Sequence, residues 1–288
     1  DQVSKDKGKD AAKTFSMVLL PAFAVDGASP LVASLLLLNG FPQQSLLLLG
    51  AIGTIAAFIA SAFYVRETLS DSIKEKAKSG PIVSIRGLGR DFWLLAMGIV
   101  GYAFSTGLVF SYLGNLIVSE WGISTAYWGI IWSVSSLCVA GFSYYGGKVA
   151  DKRLKPALAL SLFANSIVVV GLAFGNGIEF LFIVNVLWSF PIVVWISSER
   201  ALIVQGVTEE KQGRALGTYQ IVISSVQIIS MNFGAYIWTL TGSLRFLYMV
   251  AAGISFVSLI PLSFALLKIK LTQHEEDESG HLSIESEE

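Results

Sequence analysis

Histidine is missing from residues 1–270, and cysteine occurs once in the whole chain, as Cys138. A single cysteine permits no internal disulfide, and because it sits inside an apolar segment it says nothing of the redox compartment. Both histidines, His274 and His281, fall in a polar tail, so a metal site of the His and Cys type is not expected. Charge is scarce too: Asp, Glu, Lys and Arg make up 14% of the 288 residues, against about 25% in an ordinary soluble domain. Mean hydropathy is +0.65. No water-soluble core hides that much apolar surface, so these deficits exclude a soluble globular protein and leave a polytopic helical membrane protein.

What is present are eight apolar segments, at residues 14–38, 43–65, 92–118, 125–147, 156–174, 180–198, 215–240 and 246–267. At ~1.5 Å per residue each is long enough to cross a hydrocarbon core of ~30 Å. The 20 Lys and Arg residues are sorted by the alternate gaps between these segments, and only Arg245 falls on the minority side. The positive-inside rule then places both ends of the chain and its long middle loop in the cytoplasm. The net charge of −1 conceals this basic face, since seven of the 21 acids follow Lys270. Such a face matches anionic lipid headgroups, and nucleic acid is not implied. No cleavable signal peptide is expected, because the chain opens Asp1-Gln2-Val3 without a Met and the first apolar stretch is too long for a signal core.

The minority-side gaps, such as Asn39-Gly40-Phe41-Pro42, are very short, so consecutive spans pair as antiparallel helices. The one long connection, residues 66–91, carries Gly80-Pro81 and many charges. It divides the chain into a two-span part (1–65), a six-helix bundle (92–267) and an acidic tail (268–288). Val3-Ser4-Lys5-Asp6-Lys7, Ala11 and Thr14-Phe15 match Val207-Thr208-Glu209-Glu210-Lys211, Ala215 and Thr218-Tyr219 at a constant offset of 204. Each copy precedes a pair of spans, so the first two spans correspond to the last two. Four further spans are then expected ahead of Asp1.

Several stretches carry a resemblance to a known family. Gly147-Lys148-Val149-Ala150-Asp151-Lys152-Arg153-Leu154-Lys155 is similar to the G-x-x-x-D-[RK]-x-G-[RK] loop of the major facilitator superfamily, with Leu154 in place of the second glycine. Gly213-Arg214-Ala215-Leu216-Gly217 resembles the family's entry to helix 11, and Arg66-Glu67-Thr68 resembles the end of helix 6. Ser29-Pro30-Leu31-Val32-Ala33-Ser34 is a small-residue version of the G-P-x-x-G-G stretch of antiporter branches. The resemblance implies helices 5 to 12 of a twelve-helix secondary transporter of all-α bundle architecture. It also implies a cytoplasmic gate at Gly147, Asp151 and Arg153; Glu199 and Arg200, placed at the cytoplasmic end of the sixth span, and Arg214 are further gate candidates. The plain alternatives are that the bases merely obey the positive-inside rule and that Glu199 and Arg200 form an ordinary helix-end ion pair.

Asp26 is the one acid near the middle of a span. A carboxylate at that depth costs ~2.5–3.5 kcal/mol on insertion scales, so it should face a wet cavity or a partner, or be protonated. It is the candidate for proton coupling or for pairing with a cationic substrate; the alternative is a carboxylate that only accepts hydrogen bonds where Pro21 and Pro30 loosen the helix. Tyr102 and Tyr112 in the third span, Asn185 and Trp188 in the sixth, and Gln227 and Asn232 in the seventh lie at depths suited to a midplane solute site. Tyr112 and Asn185 are the preferred pair. For each, an interhelical hydrogen bond is the competing role.

The expected function is movement of a small solute, with or without a coupled proton, by alternating access. No cofactor is expected, and the partners are the solute, membrane lipids and the missing N-terminal helices. The expected location is the cell membrane. A polytopic intramembrane enzyme is the rival, weakened by the lack of histidine where a positioned base would sit. A non-transporting receptor or assembly subunit is the third reading.

Overall fold

The structure is a computed structural model that describes residues 10–64, 88–207 and 211–269. Helices account for all regular structure among the described residues: α1 (Ala11–Leu38), α2 (Gln43–Tyr64), α3 (Gly89–Asn115, continued by a π-helical turn over Leu116–Glu120), α4 (Thr125–Lys152), α5 (Leu154–Phe174), α6 (Ile178–Gln205), α7 (Gln212–Thr241) and α8 (Leu244–Lys268). All eight are long and apolar enough to cross a membrane. The reason is solvation: in lipid every backbone amide must be paired within its own segment, and the helix does that. Pro21 and Pro30 in α1, Pro191 in α6 and Pro261 in α8 are carried inside helices. Ser124 Oγ accepts from the Tyr127 amide to start α4, and Ser243 Oγ accepts from the Phe246 amide to start α8. Gly242, at φ 65°, closes α7 in the left-handed conformation and makes the two-residue turn into α8 possible.

Several helices outrun the apolar segments read from the sequence. Chain polarity, not helix propensity, ends the apolar run, so α1 begins three residues earlier than residue 14 and α4 runs on to Lys152. Gly147 and Asp151 therefore sit inside α4, and the connection to α5 is Arg153 alone. Gly147 makes no turn. Its backbone is ordinary helix, and its missing side chain serves a close approach described below.

Neighbouring helices alternate in direction, and every described Lys and Arg except Arg245 lies at one end of the bundle, called here the basic end. Small residues set the seams. Gly98 and Gly101 of α3 lie against Leu262, Ala265 and Ser258 of α8, and Gly107 lies against Gln227 and Ser230 of α7. Side-chain to backbone bonds lock these seams: Ser105 Oγ donates to Ala251 O at 2.8 Å, and Tyr248 Oη donates to Val109 O at 2.7 Å. Two apolar clusters result. One, around Phe92, Leu95, Leu158 and Leu202, fills the basic half, and one, around Leu108, Leu116, Leu181 and Leu247, fills the other.

α1 packs along α4 and, at its basic end, against α6. α2 leaves large side chains such as Leu47 (71%), Leu48 (63%) and Phe58 (75%) exposed, a surface suited to lipid or to further helices. Most of the connection read at 66–91, the Val3–Lys7 and Thr208–Glu210 parts of the repeat, and the tail after Ile269 lie outside the described residues. Thr14 is the fourth residue of α1 and Thr218 the seventh of α7.

Candidate functional site

α1 and α4 touch at three levels, each made by a glycine. At the basic end a Cβ on Gly147 would stand 2.2 Å from Ser16 Oγ and 2.5 Å from Lys13 Cα. Midway a Cβ on Gly27 would stand 2.8 Å from Leu137 Cγ, and at the far end one on Gly129 would stand 2.1 Å from Ser34 Oγ. Around the middle level lies a cavity of about 160 Å³ lined by residues of α1, α3, α4 and α6, among them Asp26, Phe110, Trp132, Ser136, Asn185 and Trp188.

Asp26 is held from α4: Ser136 Oγ donates to its Oδ2 at 2.6 Å. The carboxylate is itself exposed on α1, so in a membrane it requires water or more protein around it. Across the cavity, Asn185 is 1% exposed, and its Nδ2 donates to Leu181 O at 2.9 Å. That bond fixes the amide, because the reversed amide would set oxygen against oxygen. Its Oδ1 is buried with no hydrogen-bond partner. The donors of Ser135, Ser189 and Trp188 are spent inside the protein, while Asn165 Nδ2, outside the cavity lining, is buried without a partner. Ser135 Oγ donates to Asn185 O at 3.1 Å, Ser189 Oγ donates to the same carbonyl at 2.9 Å, and Trp188 Nε1 donates to Asn165 Oδ1. Phe110 and Trp188 stack with centroids 5.4 Å apart and 8° between planes, and Trp132 meets Phe110 edge-on at 6.5 Å.

Asp26, Asn185 and Trp188, chosen from the sequence, thus meet in one cavity. Tyr102, Tyr112, Gln227 and Asn232 lie elsewhere. Tyr102 is buried in the basic half with its ring 5.2 Å from that of Trp195. Tyr112 Oη donates to Met231 O at 2.7 Å and ties α3 to α7, which separates it from its expected partner Asn185. Gln227 backs onto Gly107, and Asn232 is exposed with its Nδ2 on Ile228 O at 2.8 Å. Trp132, Ser136 and Phe110 were not singled out in the sequence. The one signal for Trp132 and Ser136 is Trp132-Ser133-Val134-Ser135-Ser136, a polar cluster at mid-span that reads first as helix packing, and Phe110 has none.

At the basic end Asp151 does specific work. Its Oδ1 accepts from the Ala12 amide at 2.8 Å and its Oδ2 from the Lys13 amide at 3.0 Å, so it caps α1 from another helix. Asp10, at the N-cap position of α1 itself, makes no side-chain cap bond. A carboxylate at this position also meets the positive end of the helix dipole, an effect of about 0.3–1 kcal/mol at exposed sites. Ser197 Oγ of α6 donates to Ser16 Oγ at 3.1 Å, and Lys13 Nζ lies 5.3 Å from the Tyr144 ring centroid. Arg153 is exposed at the α4–α5 junction. Glu199 is buried in α6, where it accepts from Tyr219 Oη of α7, while Arg200 and Arg214 are partly exposed nearby in sequence to that contact. Among the described residues no three His, Cys, Asp or Glu side chains gather as a metal site would require.

Comparison with known proteins agrees with this architecture. The family model described as "Major Facilitator Superfamily" matches residues 8–231 and, in a second overlapping alignment, residues 95–285. A Bacillus subtilis (strain 168) protein named "Uncharacterized transporter YybO" is 21% identical over 211 residues, covering 67% of this chain. The chain spans 47% of that relative's length. An eight-helix membrane bundle whose matched family covers most of its length leaves one assignment: the chain belongs to the major facilitator superfamily.

Proposed function

We propose that the protein is a secondary transporter of a small solute that works by alternating access, with the α1–α4 contact as its moving joint. The observation that carries this reading is the capping of α1 by Asp151. It is a polar, two-bond contact between helices, at the opposite end of α1 from the Gly129–Ser34 contact and separated from it by the cavity at Asp26. Polar contacts of this kind, at a wet helix end, form in one conformer and are exchanged for water in another, whereas a buried small-residue seam such as α3–α8 has no water to exchange with and stays shut. The basic end is the cytoplasmic one by the positive-inside rule, so Asp151 and Gly147 belong to the cytoplasmic gate and the cavity is the solute site.

Asp26 gives the same reading a candidate for proton coupling, since it is the one acidic residue in the lining of the cavity and lies at mid-span. The test is flux of a solute panel in proteoliposomes holding the full-length gene product, with and without an imposed proton gradient. Uptake that responds to the gradient in the native protein and loses that response in Asp26→Asn is expected. Uptake by Asp26→Asn that still responds to the gradient as the native protein does would rule out coupling at this residue, and no flux for any solute would remove the transporter assignment.

A further inference from the structure

We infer that the cavity at Asp26 receives a compact organic monocation that also carries a hydroxyl or N–H donor; this deepens the transporter reading and rests on it. Four features of the cavity point the same way. Its lining contains one formal charge, the Asp26 carboxylate, and no Lys or Arg. Phe110, Trp132 and Trp188 line the same space; Phe110 and Trp188 each spend one ring face on the other, and an aromatic face left to the space attracts a cation within ~6 Å of its centroid.

The third feature is the balance of hydrogen-bonding groups. Ser135, Ser136, Ser189 and the Trp188 indole have donated within the protein, while Asn185 Oδ1 is a buried acceptor with no partner. A buried acceptor left unpaired is costly, and a solute that brings a donor relieves it. An anion would find neither a free donor from these groups nor a positive charge, and it would face the Asp26 carboxylate. The fourth is size. About 160 Å³ is close to the volume of an engineered cavity that takes benzene, so it holds roughly six to eight non-hydrogen atoms. A trimethylammonium or small alkylammonium group on a short hydroxylated arm fits all four.

The experiment is intrinsic tryptophan fluorescence of the full-length gene product in lipid nanodiscs, titrated with choline, its neutral isostere 3,3-dimethylbutan-1-ol, tetramethylammonium and the anion pivalate. Choline should saturate the signal with a Kd at least about tenfold below that of the alcohol, and pivalate should not bind. Asp26→Asn should weaken choline about tenfold and leave the alcohol unchanged, and Asn185→Leu should erase the advantage of choline over hydroxyl-free tetramethylammonium.

Equal binding of choline and the alcohol, tighter binding of pivalate, or no saturation by either choline or tetramethylammonium would overturn the inference. So would an Asp26→Asn variant that loses choline and alcohol together, since that outcome marks a damaged cavity and not charge recognition. Flux of a neutral or anionic solute through the same protein, without cation binding, would leave the transporter reading intact and remove this one. Absence of flux for every solute, with choline still bound, would do the reverse.

Discussion

Asp151 and Gly147 show how much one residue can do when a neighbouring helix stops just beneath it. The first turn of α1 has amides that its own sequence does not cap, and Asp151 supplies the missing acceptors from α4. Gly147 lets the α1 backbone come close enough for those bonds, because any Cβ would meet Lys13 Cα at 2.5 Å. Asp151→Ala should therefore loosen the basic end, with Asp151→Asn intermediate because an amide oxygen still accepts. With about 1 kcal/mol at stake, roughly fivefold faster maleimide labelling of a Ser16→Cys probe is expected in Asp151→Ala, in a Cys138→Ser background. Gly147→Val should act in the same direction through its clash. Unchanged labelling in all three variants would show that the contact latches nothing. The type of residue was readable in advance: a carboxylate among cations at a span end, in a stretch similar to the family's loop. Its partner was not, because the bonds go to backbone amides of α1, which carry no side-chain signature. The same limit explains Tyr112, whose expected role facing Asn185 gave way to a bond with the Met231 carbonyl.

At the scale of elements, the α3–α8 seam rests on small residues, since van der Waals contact and a few polar bonds hold helices together where lipid removes the hydrophobic drive between them. A Cβ on Gly101 would lie 2.4 Å from Ser258 Oγ and 3.1 Å from Ser258 Cβ. Gly101→Ala should therefore cost about 1–3 kcal/mol, read as a lower midpoint of thermal unfolding in detergent. Adding Ser258→Ala should recover part of the loss by removing the nearest clashing atom. A Gly101→Ala single variant as stable as the native protein would mean that the seam is looser than its geometry. The spans themselves were legible from apolar length and charge sorting, and all eight appear as helices. Their ends were less so. Lys148, Asp151 and Lys152 close the apolar run of α4 but are good partners for a helix that protrudes past the lipid, so the helix continues through them. The cavity was half legible. Asp26, Asn185 and Trp188 stood out as polar or amphipathic groups at mid-span, whereas Phe110 and Trp132 are indistinguishable in sequence from the other aromatics that fill the bundle.

For the whole molecule, the central claim is that α1 rocks on α4, closing the basic end through Asp151 while the cavity at Asp26 communicates with the other side, and then reversing. A scaffold of α3, α5, α6 and α8, tied by Ser105, Tyr248, the Ser166–Ser255 contact and the Trp188–Asn165 bond, would give that motion something to move against. The direct measurement is a pair of spin-label distances in the full-length gene product, with Cys138 replaced by serine. One pair joins Met17 and Val149, both exposed at the basic end, and the other joins Leu38 and Tyr127, both exposed at the far end. As solute or proton concentration is varied, the two distance distributions should shift in opposite senses, and Asp151→Ala should bias the basic-end pair toward its longer population. Two distances that widen together, or that hold still under conditions where solute crosses the membrane, would contradict the account.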